Sequence, residues 1–484
     1  MSGELFLAVD LGASSGRVCL GSFQGGKLAL AEIHRFANHP VRLGGTVYWD
    51  YLHLWDNVLK ALSFCSPKGA RRLAAMGIDS WNLDFGLVDD EGRLLGNPVA
   101  YRDQSAGWVA EEITRRLSAR DLYQQTGMPV SPITGLARLI QMGMDSRRGL
   151  LELARYYLPI PDLVRFFLTG EASVEQTISW GTQMVDIGNR SWNRSLMERF
   201  AIPQRILPGI VATGQVGEAL SREISSVTGI EPCPVVAVGE HDTASAVLAA
   251  SLLDRDAVIL SVGTWSLLGA ALDHPLVTEE ARDLGFMNEI AYQSILLGKN
   301  LMGFYLLEEF LKSWRAKGML FDYDAVTRLA QAAPAGGLQV DPNDSLFFAP
   351  PNVEQAFAEY CRQTGERPVE DPGAIARAVY EGLAASYRRS LAELGSLLKR
   401  EPRKVVMVGG SVRNGFFCQL VADTCGVEVV AGLPEATVVG NLCVQALALG
   451  KLSSGELGDL VAASFPIVSY HPGRSGKNQG REAC

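Results

Sequence analysis

Three short segments of this 484-residue chain carry residue types suited to handling phosphate. The first, DLGASSGR, sets Asp10 ahead of Gly12, Ala13, Ser14, Ser15, Gly16 and Arg17. A carboxylate can hold Mg²⁺ directly or through water, small residues let backbone amides approach phosphate oxygens, and an arginine adds positive charge. The second, SVGTWS, offers Gly263 for close approach and the hydroxyl and amide of Thr264. In the third, VAVGEHDTASA, His241 and Asp242 stand between a strand and a helix of small residues. Asp242 is suited to accept the proton of a sugar hydroxyl as that hydroxyl attacks phosphorus. A plain helix cap is the structural alternative. With an ordinary pKa of about 3.9 the carboxylate is a weak base, so its help would lie in orienting the hydroxyl and taking the proton late.

The first two segments sit in stretches that resemble each other, LFLAVDLGASSGRVCLG at 5–21 and AVILSVGTWSLLG at 257–269. Each reads as a β-hairpin whose turn exposes amides and hydroxyls. Two such turns facing one another would hold a polyphosphate, which points to an ATP-dependent phosphotransferase with two related halves. In VVMVGGSVRNGFF, Gly409 and Gly410 can lie flat against a nucleotide, or form an ordinary strand-to-helix turn. LPEATVVGN at 433–441 reads as the border of the same pocket or as a simple helix start. The chain has no Walker A sequence, and its Gly-rich turn lacks the Rossmann spacing, so ATP would be held in another way.

The surrounding elements are α/β. In the first half a strand at 47–51, a helix from His53 to about Phe64, and strands at AAMGIDSW and FGLVD follow the hairpin, and 105–154 is helical. The second half shows strands near 257–262, 265–271 and 292–298, helices at about 300–315 and 324–332, and a Pro/Gly-rich bridge at 334–351. A long helix from Pro372 to Leu398 comes next, then the strand KVVMVGG and a last helix through 437–450. This length exceeds one hydrophobic core. The expected division is 1–250, 251–472 and a polar, disordered tail at 473–484, with ligands in the interdomain cleft.

Composition excludes several classes. Hydrophobic residues at 47% and charged residues at 20% give an ordinary globular balance. A net charge of −9 argues against nucleic-acid or anionic-membrane partners. The start, MSGELFLAVDLG, lacks a basic region and breaks its apolar run at Asp10, and no apolar stretch approaches the ~20 residues that cross a bilayer. The expectation is a cytoplasmic protein. The eight cysteines are scattered, with no CxxC pair, and read as buried thiols.

Taken together, the motifs resemble those of the FGGY carbohydrate kinases, within the actin, hexokinase and Hsp70 fold superfamily, and most of all the bacterial L-rhamnulokinase branch. The resemblance runs from AVDLGASSGR through GIDSW, AYRD, PDLVRFFLTGE, GEHDTASAV, SVGTWSLLG, GKNLMGFYLLE, VDPNDSLFFAP and VGGSVRN to EATVVGN. It implies two RNase H-like domains closing over Mg-ATP and a ketose, with phosphate transferred to the C1 hydroxyl of L-rhamnulose, in a monomer or homodimer. On it, Asp242 is the proton acceptor, with His241 and Thr243 beside it at the sugar. Asp10 holds the metal, and Ala13, Ser14, Ser15, Gly16 and Arg17 form the first ATP loop. Thr264 belongs to the second loop, Gly409 and Gly410 sit at the nucleotide, and Asn300 touches the sugar. Four positions depart from the pattern: Asn82 replaces a glycine and Glu240 a small residue near the sugar, while Glu308 replaces a glutamine and Ser411 a glycine near ATP. Another ketose, and a non-catalytic sugar or nucleotide sensor, are the alternatives.

Overall fold

The computed structural model describes residues 4–66, 69–348 and 350–473; the tail expected beyond Gly473 lies outside the described residues. The fold is mixed α/β, in two compact units. One takes the chain up to Leu253 together with Ala271–Leu297 and Ala436–Ser464, and the other takes Asp254–Ala270, Gly298–Glu435 and the segment from Phe465.

In the first unit the opening hairpin forms as expected. Leu5–Leu11 and Ser15–Gln24 pair antiparallel with Asp10 opposite Arg17, and the Gly12 amide donates to the Ser15 carbonyl at 2.9 Å to close the turn. The strand alternates. Leu7, Val9 and Leu11 enter a core with Leu54, Val58 and Ile78, so Asp10 is directed to the opposite face of the sheet. Six strands line up in the order Gln215–Ala219, Pro234–Ala237, Ala75–Ser80, Leu5–Leu11, Ser15–Gln24 and Lys27–Ala37. Helix Tyr51–Cys65, capped by Asp50, covers the core face. Because Tyr51 begins this helix, the strand expected at 47–51 ends at Trp49.

On the other face, helix Ala436–Ala448 packs along strands Leu5–Leu11 and Ala75–Ser80 and against helix Asp242–Ser251. The small residues of DTASAVLAAS let the two helices approach closely: a Cβ at Gly440 would lie 1.9 Å from the Ser245 carbonyl oxygen. That approach anchors the helix that begins at Asp242.

The second unit repeats the hairpin. Val258–Val262 and Trp265–Leu272 pair antiparallel, and the Gly263 amide donates to the Trp265 carbonyl at 2.9 Å. The sheet that holds this hairpin has seven strands, in the order Met287–Ala291, Ser294–Met302, Trp265–Leu272, Val258–Val262, Lys404–Val408, Glu428–Ala431 and Val468–Tyr470. Helix Pro372–Leu398 has the expected bounds, with Asp371 accepting from the Ala374 amide at its start. The helix expected from about residue 300 begins only at Tyr305, because GKNLM continues the preceding strand to Met302.

Among the described residues no helix is long and apolar enough to cross a membrane, and the described cysteines form no disulfide.

Candidate active site

In the first unit, sheet register builds an acidic group. Strands Leu5–Leu11 and Ala75–Ser80 run parallel with Asp10 beside Asp79, so both carboxylates lie on one face. Arg17 reaches across the hairpin and its guanidinium contacts Asp10 Oδ2 at 2.6 Å. Asp79 is fully buried; its Oδ2 accepts from Asn441 Nδ2 at 2.5 Å, and its Oδ1 has no partner. Burial, and then the neighbouring Asp10, push the Asp79 carboxyl well above the usual carboxylate range.

Asp242 is the first residue of its helix, and the cap position belongs to His241, whose side chain makes no capping bond. The Asp242 Oδ1 accepts from the Thr243 amide at 2.6 Å and from the Thr243 hydroxyl at 3.2 Å. About a third of the side chain, 31%, faces solvent, which leaves the carboxylate reachable by a ligand. Burial of the remainder, followed by the charge of Asp10, raises its pKa to about 7. That places it near the optimum for a proton acceptor at neutral pH.

His241 is held by its backbone. Its amide donates to Thr177 Oγ1 at 3.1 Å, and the Glu240 carbonyl accepts from the Ser80 amide at 2.9 Å. The ring is nearly buried, and burial drops its pKa to about 3, so it is neutral. Its Nε2 lies 3.5 Å from Asp242 Oδ1 and its Nδ1 3.5 Å from Glu289 Oε2. Glu289, on strand Met287–Ala291, belongs to no motif singled out in the sequence.

Glu240 is the departure the structure explains. Its side chain is fully buried and points to Arg165, whose Nε donates to Glu240 Oε1 at 3.0 Å. The same guanidinium binds Asp162, and its Nη1 donates to the Ser173 hydroxyl at 2.6 Å. The extra carboxylate therefore belongs to a buried ion network under the His241–Asp242 backbone, and the arginine from PDLVRFFLTGE is its partner. Asn82 is placed differently. Its Oδ1 accepts from the Leu83 amide at 2.7 Å, while its Nδ2 is buried without a partner. A Cβ at Gly181 would sit 1.9 Å from Asn82 Oδ1, so the glycine at 181 gives the asparagine its room. Trp180 Nε1, next in the chain, is a second buried donor without a partner.

In the second unit, Thr264 occupies the turn of the repeated hairpin, and its hydroxyl donates to the Glu308 carboxylate at 3.1 Å. The Gly303 and Tyr305 amides donate to the Thr264 carbonyl at 3.1 and 3.2 Å. A side chain at Gly303 would collide with the Gly263 carbonyl oxygen, 2.3 Å from its Cβ, so only glycine lets the backbone close on this turn. Asn300 lies on the preceding strand and is exposed. Lys404–Val408 runs parallel to Val258–Val262 and delivers Gly409 and Gly410 beside the same turn. Gly409 has φ +90°, and its Cβ would lie 2.9 Å from the Val262 carbonyl oxygen; Gly410 is open. Ser411 is buried, with an unpartnered hydroxyl.

Of the sequence-derived residues, Asp10, Arg17, His241, Asp242 and Thr243 thus gather in the first unit, with Ala13, Ser14, Ser15 and Gly16 in the turn beside Asp10. Thr264, Glu308, Gly409 and Gly410 gather in the second. A divalent cation fits the first group by donor chemistry: Asp10 and Asp79 present hard oxygens whose mutual repulsion a cation would relieve, and Asp79 Oδ1 is unpartnered. No group of three or more His, Cys, Asp or Glu poised to hold a metal occurs among the described residues. One or two carboxylates, with water and phosphate completing the shell, is the ordinary way of holding Mg²⁺.

Two family models and full-length relatives place the chain among known proteins. Residues 5–249 match the family model described as FGGY family of carbohydrate kinases, N-terminal domain, and residues 258–449 match the corresponding C-terminal domain. A rhamnulokinase of Bacteroides thetaiotaomicron is 37% identical over 471 residues, covering 96% of each chain. One from Pectobacterium carotovorum is 34% identical, covering 98% of this chain and 94% of its own. Among solved structures, ligand-bound xylulose kinase from Lactobacillus acidophilus superposes with a TM-score of 0.80 at 19% identity, over 97% of this chain and 94% of that one. Plasmodium falciparum glycerol kinase with ADP gives a TM-score of 0.80 at 15% identity, over 99% and 96%. These distant structures share the fold.

Proposed function

The chain belongs to the FGGY family of carbohydrate kinases, and from that premise we propose that it transfers the terminal phosphate of ATP to the C1 hydroxyl of L-rhamnulose, in the cytoplasm, as a step of rhamnose breakdown. The observation that carries the chemistry is Asp242, a partly open carboxylate at a helix start with its pKa raised to about 7. The sugar follows from whole-length similarity to rhamnulokinases.

In this reading the C1 oxygen attacks the γ-phosphorus, the bond to the ADP leaving oxygen breaks, and the hydroxyl proton passes to Asp242. Thr243 fixes the Asp242 carboxylate through its amide and hydroxyl. Asn82 and Asn300 orient the sugar, and His241 stands beside Asp242 next to it. Ala13, Ser14, Ser15, Gly16 and Arg17 of the first turn and Thr264 of the second receive phosphate oxygens, and Gly409 and Gly410 take the nucleoside. Mg²⁺, held through Asp10 with Asp79 behind it, supplies neutralising charge for the phosphates when bound. Glu308, now occupied by the Thr264 hydroxyl, is the residue that would exchange this bond for a contact to the nucleotide.

A second sugar is the reading that Asn82 favours. Its buried, unpaired Nδ2 and the Nε1 of the Trp180 ring are donors a ketose hydroxyl could satisfy, and a site that pairs such groups discriminates strongly among sugars. The test is coupled ADP release with Mg-ATP against L-rhamnulose, L-fuculose, L-ribulose, D-xylulose, D-ribulose, L-xylulose and glycerol. Selective turnover of L-rhamnulose is expected. Preference for another ketose would overturn the sugar and keep the kinase, whereas no sugar-dependent ADP release would leave a sensor with a kinase fold.

A further inference from the structure

The His241 ring has one nitrogen that the proposed chemistry leaves without a role. Nδ1 is buried with no hydrogen-bond partner, and the nearest acidic group is Glu289 Oε2 at 3.5 Å. On the far side of the ring, Nε2 lies at the same 3.5 Å from Asp242 Oδ1. Both separations exceed a formed hydrogen bond, as catalytic contacts commonly do before substrate is bound. A buried polar nitrogen facing a carboxyl is a pair waiting to close.

The two carboxyls cannot play the same part, because a neutral imidazole has one donor and one acceptor nitrogen. Glu289 exposes 5% of its side chain and Asp242 31%, so the cost of an unsolvated negative charge falls more heavily on Glu289. Resting on the reading of Asp242 as proton acceptor, we propose that Glu289 is a positioning residue that, as a neutral acid, donates to His241 Nδ1 and thereby fixes His241 as an Nε2–H donor directed at Asp242. Burial, and then the charge of Asp242, raise the Glu289 pKa to about 8, which agrees with a protonated carboxyl at neutral pH.

Glu289 is well placed for this task. Its strand is held from outside the site: the Asn288 amide donates to the Gly127 carbonyl at 2.8 Å, and the Tyr123 hydroxyl donates to the Phe286 carbonyl at 2.9 Å. His241 is fixed from the other side through Thr177. The ring is thus gripped at its backbone and, through Glu289, at its inner nitrogen. Held this way, its Nε2–H would join the Thr243 amide and hydroxyl on Asp242 Oδ1 and leave Oδ2 for the sugar hydroxyl.

Two substitutions in the full-length enzyme test the assignment. Glu289→Gln keeps a neutral donor, and Glu289→Met keeps the bulk without one. The expected result is kcat within about threefold of the parent for Gln and a loss of roughly 10–100-fold for Met, the size usual for an outer orienting partner, with KM for ATP unchanged. The second readout is the ¹⁵N signature of His241 in histidine-labelled enzyme, assigned by its disappearance in His241→Asn. An Nε2–H tautomer in the parent, lost in the Met variant, supports the role. Parental kcat in the Met variant, a Gln variant as impaired as Met, or an Nδ1–H tautomer in the parent would each overturn it. An Asp242→Asn control that stays active would instead refute the reading of Asp242, so the two failures are distinct.

Discussion

The two hairpin turns use one backbone device for two different kinds of chemistry. In each, a glycine amide closes on a carbonyl two or three residues ahead at 2.9 Å, Gly12 on Ser15 and Gly263 on Trp265. The strands around the first turn set Asp10 opposite Arg17, with Asp79 on the next strand. Those around the second set Ser261 opposite Leu267 and Val262 opposite Ser266. Charge is therefore built into the first copy alone. The second is neutral in its own strands, and a carboxylate, Glu308, arrives from a separate helix and is met by the Thr264 hydroxyl. A duplicated turn preserves its amides because closing it demands them, while the strand positions beside it are free to diverge.

If that division holds, breaking the charged turn costs more than breaking the neutral one. Asp10→Asn removes the carboxylate that would hold the metal and takes the negative charge out of the 2.6 Å pair with Arg17. Metal stabilisation of phosphate charge contributes several kcal/mol, so turnover should fall on the order of a thousandfold, with the loss partly recovered at high Mg²⁺ in the ADP-release assay. Thr264→Val deletes a single hydroxyl. A hydrogen bond to a charged group is worth about 1.5–3 kcal/mol, so kcat/KM for ATP should drop roughly ten- to hundredfold with little dependence on Mg²⁺. Equal losses, or a metal-dependent defect at Thr264, would break the comparison.

What the sequence revealed depended on whether the signal was local. Helix Pro372–Leu398 was legible because Asp371, Pro372 and the apolar period mark it without reference to anything distant. The two hairpins were legible for the same reason. Asn300 was placed just inside a helix because LMGFYLLEEFLKSW has helical spacing, yet Gly303 must close on the Gly263 carbonyl, and that contact keeps GKNLM in the strand. Glu240 looked like an intrusion at the sugar until Arg165, 75 residues earlier, supplied its partner. Asp79 lay inside the GIDSW motif but gained meaning only through its register beside Asp10. Glu289 had no local signal at all: a lone glutamate in NEIAY becomes part of a site only when its strand is laid beside His241.

The central claim is that a carboxylate on the first unit accepts the proton of a sugar hydroxyl. Sugar-dependent ADP release by Asp242→Asn, measured with the sugar that the parent enzyme prefers, tests it most directly. The account predicts a loss of about 10²–10⁴-fold, the contribution of a positioned base, with ATP and sugar binding retained by calorimetry. Turnover within about tenfold of the parent would contradict it and move the proton acceptor to another group.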